Sequence, residues 1–420
     1  VARLLLLSNT TGYQANAFRD AARRIGADIT LATDRCHVLE DPWGDSAIPV
    51  KFASPAESAQ TIAVQAAKTP FHGIVAIGDA PTMTAAMAAE QLGLRFHPPV
   101  AVEACKNKWV ARERWSAAGM LVPWYRRVPA DENPRKLVRE VPFPCVLKPL
   151  GLSASRGVIR ANVGSEFVAA FRRIAALLSE ADIQLHHDDA TRWIQIESYI
   201  TGQEFALEGL VTGGRLKVLA LFDKPDPLEG PYFEETIYVT PSRQPYSVQS
   251  LIAATTQRAI TALGLSNGPL HAEMRVNEKG VWMLEMAARP IGGLCAKALR
   301  FGKEQMPLEE LIVRHALGED VSGIEREERA SGVMMIPIPE AGFYEGVDGV
   351  EEALAVPGVG SVEITAKLKQ KLVPLPEGAS YLGFIFASAD SPAEVEEALR
   401  QAHARLRFDI SAEIPVLKQA

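Results

Sequence analysis

Two periods of hydrophobic patterning alternate along the first hundred residues. Leu4–Leu7 is a short continuous apolar run, the pattern of a buried strand. Ala15–Ile25 then sets Phe18, Ala21, Ala22 and Ile25 on one helical face, and Gly26 stops it. Asp28–Ala32 reads as the next strand, Glu57–Ala67 as a helix, Gly73–Ile77 as a strand, and Pro81–Leu92 as a helix closed by Gly93. Strands separated by helices predict a parallel sheet with helices on both faces. The turn Ser8-Asn9-Thr10-Thr11-Gly12 follows the first strand, where such a sheet can hold a ligand. It lacks GxGxxG spacing and reads equally well as an ordinary loop.

Beyond Lys108 the pattern changes. Trp109–Ala118 is helical until Gly119 and Pro123 break it, and short strands then dominate: Cys145–Lys148, Val158–Ala161, Trp193–Glu197, Glu204–Val211 and Arg215–Phe222. Thr212-Gly213-Gly214 between the last two is a hairpin turn. The helix Ser165–Leu178 packs among these strands. A second hairpin joins Leu270–Val276 to Val281–Met286 through Asn277, Glu278, Lys279 and Gly280. From about residue 330 the order reads β, α, β, β, α, β, ending in strand Tyr381–Ala387, helix Pro392–Arg405 and a short strand near Phe408. An α/β start is thus joined to an α+β remainder.

Composition narrows the class. With 420 residues, and roughly 150 per domain, the chain predicts two or three domains with their own cores. A balance of 44 Lys+Arg against 51 Asp+Glu, net −7, leaves no electrostatic footprint for nucleic acid. No apolar run approaches the roughly 20 residues that span a bilayer, and Leu4–Leu7 is too short for a signal-peptide core. Cys36, Cys105, Cys145 and Cys295 lie far apart, without CxxC spacing. They read as reduced, mostly buried thiols of a cytoplasmic protein, and the Asn9-Thr10-Thr11 sequon as chance.

Three stretches could carry chemistry. In Lys148-Pro149-Leu150-Gly151-Leu152-Ser153-Ala154-Ser155-Arg156-Gly157-Val158, a lysine ends one strand and a small-residue loop leads to the next. Glycine and serine let backbone N–H groups approach phosphate oxygens, and lysine adds a point charge. A plain flexible hairpin is the competing reading. In the second stretch, Glu273 and Glu285 sit on the two strands of one hairpin. Facing each other they would lie within roughly 5 Å, inside apolar strands, where two carboxylates repel. A divalent cation resolves that conflict, and Mg²⁺ takes one or two carboxylates plus phosphates and water. The alternative has one glutamate in solvent and the other on Arg275 or Arg289. The third stretch, Gln195-Ile196-Glu197-Ser198-Tyr199-Ile200-Thr201-Gly202-Gln203-Glu204, ends one strand and begins another around Gly202. Three other features read as structural. His186-His187-Asp188-Asp189 is a polar loop, since consecutive residues converge poorly on one ion. Trp109 and Trp115 are core, and Glu325–Arg329 is a solvated face.

Taken in order, these motifs resemble the ATP-grasp superfamily, whose members join a carboxylate to an amine through an acyl phosphate. The resemblance runs from about Leu4 to Ala316 and is strongest to the L-amino-acid ligase (dipeptide synthetase) branch. It is carried by Lys108 with Arg112, Lys148-Pro, Ser155-Arg156-Gly157-Val158, Glu197…Gly202-x-Glu204, and His271-x-Glu273…Glu285-x-x-x-Arg289-Pro-x-Gly-Gly. The resemblance implies that Lys108 and Lys148 contact the nucleotide phosphates, Lys148 with a catalytic part. Ser153 to Gly157, with Ser155 and Arg156, would close over them. Glu197 and Ile200 would lie beside adenine, and Glu204 on the ribose. Glu273 and Glu285 match magnesium ligands, with Mn²⁺ as the substitute ion. Many relatives carry Asn two residues after the second glutamate, where this chain has Ala287. Arg289 matches the arginine that faces the acyl phosphate. His271, Gly292 and Gly293 fall beside the substrate. Glu235 falls where relatives place an acid that receives the substrate ammonium, and Tyr238 stands where they often have His. Tyr381-Leu382-Gly383-Phe384 resembles the C-terminal domain of that branch.

The expected architecture is α/β and α+β in three parts. These are a Rossmann-like domain over 1–108, an ATP-grasp domain over 109–318 with a lid at about 125–200, and a small α+β domain over 319–420. The expected activity is ATP-dependent, ADP-forming amide synthesis with ATP and Mg²⁺. Its partners would be small carboxylate and amine substrates, with neither nucleic acid nor membrane, and with a homodimer as a possible assembly. The competing readings are an ATP-grasp carboxylase or formate-using transferase, and a protein that holds ATP without turnover.

Overall fold

The computed structural model describes residues 1–9, 13–35, 47–184 and 189–412. Thr10, Thr11, Gly12, Cys36 and His186-His187-Asp188 lie outside the described residues. The chain separates into two compact units. One comprises Val1–Val122, Phe205–Leu221 and Gln244–Glu328; the other comprises Pro123–Glu204, Phe222–Arg243 and the chain from Arg329 onward.

In the first unit, strands Ile48–Pro49, Asp28–Thr33, Arg3–Ser8 and Gly73–Ile77 pair in that order, all parallel. Leu4 to Leu7 are fully buried, as a continuous apolar run requires when both faces of a sheet are covered. Helices Tyr13–Arg24, Pro55–Lys68 and Asp79–Leu92 accompany them, so every element expected here is present within two residues of its expected ends. Helices Pro99–Lys106 and Lys108–Ala117 come next. The Asn107 side chain accepts from the amides of Trp109 (3.1 Å) and Val110 (3.3 Å), a cap that fixes Lys108 in the first turn. Trp115 is core as expected, whereas Trp109 is only half-buried. The hairpin Gly268–Asn277/Gly280–Ala287 belongs to this unit too, as do helices Leu308–Ala316 and Tyr246–Leu263. That 18-residue helix was absent from the expected elements. Its Val, Ile and Thr residues are weak helix formers, and burial of Ile252, Thr256, Ala259, Ile260 and Leu263 along one face outweighs that preference. One core joins Leu5, Ile74, Trp115, Leu207, Ile260, Met274 and Met283.

The second unit holds an antiparallel sheet ordered Tyr125–Pro129, Trp193–Ser198, Cys145–Pro149, Ile159–Ala161. Helix Gly164–Leu178 lays Phe167, Phe171 and Ile174 on Leu147, Ile194 and Ile196. A further set of antiparallel strands runs Ile237–Thr240, Ala330–Ile336, Gly383–Ala389, Val359–Ile364, and helix Pro392–His403 covers it. This helix starts with a full capping box between Ser391 and Glu394. The expected order from residue 330 needs correction. Strand Gly342–Asp348 precedes the short helix Val350–Leu354, and Lys371–Leu372 adds an edge strand. Gly342–Asp348 lacks a clear apolar alternation because it is only half-buried, so its sequence carries little period-two signal.

Cys105, Cys145 and Cys295 are buried free thiols. Among the described residues no helix is long and apolar enough to cross a membrane.

Candidate active site

Antiparallel pairing in the first unit sets Glu273 directly opposite Glu285, and a bulge follows at Glu273/Met274. As a directly opposed pair, the two carboxylates share one face of the hairpin. Lys108 Nζ lies 3.5 Å from Glu285 Oε2, and His271 Nε2 lies 3.4 Å from Glu273 Oε1. Arg112 is buried and donates to the Leu284 carbonyl at 2.9 Å, so it braces the strand one residue before Glu285.

Arg289 is paired neither with Glu273 nor with Glu285. Its Nε and Nη2 donate to the two carboxylate oxygens of Asp79 at 2.6 and 3.1 Å, a bidentate clamp that fixes the guanidinium plane. Burial opposes its charge, but Asp79, Glu285 and Glu208 together outweigh burial, and the guanidinium stays charged. The loop after Arg289 is pinned as well. The Ile291 amide donates to Glu208 at 3.1 Å, and Gln14 Nε2 donates to the carbonyls of Gly293 (2.9 Å) and Ile291 (3.4 Å). Gly292 and Gly293 remain exposed.

Glu208 is fully buried in strand Gln203–Thr212 and faces His271 Nδ1 at 3.1 Å. Burial raises its pKa against the pull of His271. Burial alone would lower the imidazole, yet the Glu208 and Glu273 carboxylates outweigh it and push it up to about 9.

The second unit arranges its charges in opposite-sign pairs. Lys148 is the next-to-last residue of strand Cys145–Pro149, and its Nζ lies 2.7 Å from Glu197 Oε2 on the neighbouring strand. Gln195 Nε2 donates to the other Glu197 oxygen at 2.6 Å, and both Glu197 and Gln195 are buried. Ile200 is buried just beyond. Lys224, also buried, donates to Glu204 Oε1 at 2.9 Å and to Glu235, and its ammonium sits 5.0 Å from the centroid of the Tyr238 ring. Glu235, expected to take a substrate ammonium, is thus engaged here by a lysine of the chain itself.

The loop after Lys148 is built on left-handed residues: Ala154 and Ser155 at φ 55° and Gly157 at φ 73°. A Cβ on Gly157 would come within 2.7 Å of Pro149, so only glycine fits. The Gly157 amide donates to the Pro376 carbonyl at 2.7 Å. Arg156 donates to the Glu377 carbonyl at 2.7 Å and to Glu180 at 3.1 Å. Both groups, expected at the phosphates, are engaged in this structure by the chain itself. Ser153 is exposed and Ser155 half-exposed.

Four residues escaped the sequence reading: Gln14, Asp79, Glu208 and Lys224. Asp79 had a signal, because it opens a helix at the carboxyl end of the parallel strand Gly73–Ile77, where open α/β sheets place ligands. Glu208 had one too, as a lone acid in the apolar run Phe205–Val211.

Three family models match the chain: an ATP-grasp N-terminal domain over residues 19–95, an ATP-grasp domain over 141–298, and the L-amino acid ligase C-terminal domain 2 over 334–411. The fold matches the crystal structure of an L-amino acid ligase from Bacillus licheniformis with a TM-score of 0.79 at 24% identity, covering 98% of this chain and 99% of that one. An alanine–anticapsin ligase of Bacillus subtilis is 28% identical over 224 residues, 49% of this chain and 46% of the relative. A dapdiamide A synthase of Enterobacter agglomerans is 24% identical over 311 residues, 70% of each. The chain spans about half the length of several curated relatives it matches.

Proposed function

We propose that this ATP-grasp chain is an ATP-dependent, ADP-forming carboxylate–amine ligase that makes a peptide-like bond from an amino acid. The reading rests above all on the register that opposes Glu273 to Glu285, four residues before the clamped Arg289. Like charges directly opposite on a hairpin destabilise it, whereas a bound divalent cation turns the same pair into a ligand set. The donors fit Mg²⁺ or Mn²⁺, since both are hard carboxylate oxygens and Lys108 beside Glu285 can follow a phosphate. When bound, the cation would neutralise phosphate charge during transfer.

The chain's own groups would act by position and charge. Lys108 and Lys148 hold the phosphates, Ser153 and Ser155 offer hydroxyls to them, and Arg156 with Gly157 anchors that loop. Glu197 and Ile200 lie beside adenine, and Glu204 meets the ribose. A carboxylate oxygen of the acid substrate attacks the γ-phosphorus, and the bond to ADP breaks. The amine then attacks the acyl carbon and phosphate leaves. Arg289 faces the charge that grows in both steps and needs no movement, because Asp79 already fixes its plane. Glu204, Glu235 and Lys224 together carry one net negative charge, which suits one substrate ammonium, with Tyr238 beside it. The exposed Gly292 and Gly293 leave room for a substrate side chain. In sequence the enzyme would divide into 1–108, 109–318 and 319–420, acting as a small-molecule enzyme of the cytoplasm.

The test is a pairwise amino-acid screen read by phosphate release, with products identified by mass. Amino-acid-dependent ADP and phosphate in equal amounts, with an amide product, supports the reading. Release that needs bicarbonate or formate and no amine would replace it with the carboxylase or transferase alternative.

A further inference from the structure

Glu208 has no part in the reaction outlined above, yet its placement is costly. Its carboxylate is 0% exposed, in a strand whose neighbours Phe205, Ala206, Leu207 and Leu210 are all buried. Such a group is tolerated only when its oxygens are satisfied, and an apolar cluster that replaced it together with its charged partner would often be neutral or better for stability. Its two oxygens take two different partners. Oε2 faces His271 Nδ1 at 3.1 Å, and Oε1 accepts the Ile291 amide at 3.1 Å.

Both partners lead to the residues proposed for chemistry. His271 precedes Glu273 by two positions on one strand, so the two side chains share a face, and Nε2 lies 3.4 Å from Glu273 Oε1. Both ring nitrogens face carboxylates, which only accept, so Nδ1 donates to Glu208 and Nε2 to Glu273, and Glu208 sets the ring plane from the buried side. Ile291 lies two residues beyond Arg289, in the segment that Gln14 also ties down. One side chain thus joins the strand carrying Glu273 to the loop carrying Arg289.

We propose that Glu208 is a positioning residue of the ligase, orienting Glu273 through His271 with one oxygen and the Arg289–Gly293 loop through the Ile291 amide with the other. The inference rests on the ligase reading. It explains why a charged group is kept at a site where an apolar one would pack. Outer partners of this kind commonly govern metal affinity or activity by about 10- to 100-fold.

The test uses the full chain with a non-hydrolysable ATP analogue, with Mn²⁺ binding followed by electron paramagnetic resonance, beside steady-state ADP release. Glu208→Gln keeps an acceptor for Ile291 and the side-chain volume but places an uncharged amide against His271. It should weaken Mn²⁺ binding and lower kcat by about 10- to 100-fold each, with KM for ATP little changed. His271→Gln breaks the link to Glu273 while sparing the Glu208–Ile291 bond. It should weaken Mn²⁺ binding to a similar degree, which covers the case in which the Glu208 variant does not fold. A merely structural role would lower the melting temperature and leave Mn²⁺ affinity in place. Variants that bind Mn²⁺ as the wild type does overturn the inference and leave the ligase reading intact. A wild type that binds no Mn²⁺ with the analogue overturns the metal assignment and this inference with it.

Discussion

The hairpin of the first unit and the four-stranded sheet of the second both bring charged side chains together on neighbouring strands, but with opposite sign patterns. In the sheet, Lys148 meets Glu197 at 2.7 Å and Gln195 donates to the other carboxylate oxygen, so both Glu197 oxygens are satisfied within the chain. In the hairpin, Glu273 faces Glu285, with the Lys108 ammonium 3.5 Å from Glu285 and the His271 ring 3.4 Å from Glu273. A complementary buried pair holds a side chain in place ahead of any ligand. A like-charged pair gains from a cation that arrives with the substrate. The two regions therefore read as a pre-set lysine and a conditional metal site, and mutations at each should fail in different ways.

The largest effect is expected at Arg289. Arg289→Met should lower kcat by about 10²–10³-fold, as loss of a preorganised charge at a developing anion does, with KM changed little, measured by ADP release at saturating substrates. A loss confined to KM would mean that the arginine binds substrate and transition state alike.

Glu285→Gln follows. It should cut turnover by roughly 100-fold and raise the Mg²⁺ concentration needed, while thermal melts stay level or improve because a repulsion has been removed. Near wild-type turnover at saturating Mg²⁺ would refute the metal assignment.

Lys148→Met should do the reverse to stability. It strands the buried Glu197, which is 2% exposed, at about 3–5 kcal/mol in denaturant melts. Adding Glu197→Gln should return much of that loss, as expected for two groups that act as a pair. Should Glu285→Gln destabilise the fold as much as Lys148→Met, the contrast between the two regions would collapse.

Glu235→Gln should raise KM for the acid substrate by about 10-fold, near the worth of one charge-assisted hydrogen bond, and leave kcat nearly unchanged. If KM stays the same for every accepted acid, the first substrate is not an α-amino acid, and the dipeptide reading fails while the ligase reading stands.

The smallest effect concerns pH in metal-free protein. Burial resists the His271 charge, but Glu208 and then Glu273 push its pKa up to about 9, above its ordinary value of 6.5. The group's folded-state pKa is raised, so its stabilisation is fully present below about 6.5 and fades as pH climbs through about 9. Melting temperatures between those limits should fall in the wild type and fall less in His271→Gln.

Much of this molecule was legible along the chain. The parallel sheet followed from apolar runs separated by one-faced helices, because strand and helix periods are local properties of covalent geometry. That Glu273 and Glu285 sit on paired strands of one hairpin was legible too, but the register of the turn alone would set Glu273 opposite Leu284, and the bulge at Glu273/Met274 is what brings Glu285 there. Helix Tyr246–Leu263 escaped because its weak local preference is overridden by burial against distant residues, and Gly342–Asp348 because a half-buried strand leaves little period in its sequence.

Tertiary structure alone decided the pairings. Arg289 lies 210 residues from Asp79, and Glu208 lies 63 from His271 and 83 from Ile291. The Gly157 amide found its partner in Pro376, and Glu235 found its own in Lys224. Spacing along a sequence specifies which residues share a strand or a turn. The partner of a buried charge is set by which strands and loops the packed core brings within about 3 Å, and a side chain has no record of that in its neighbours.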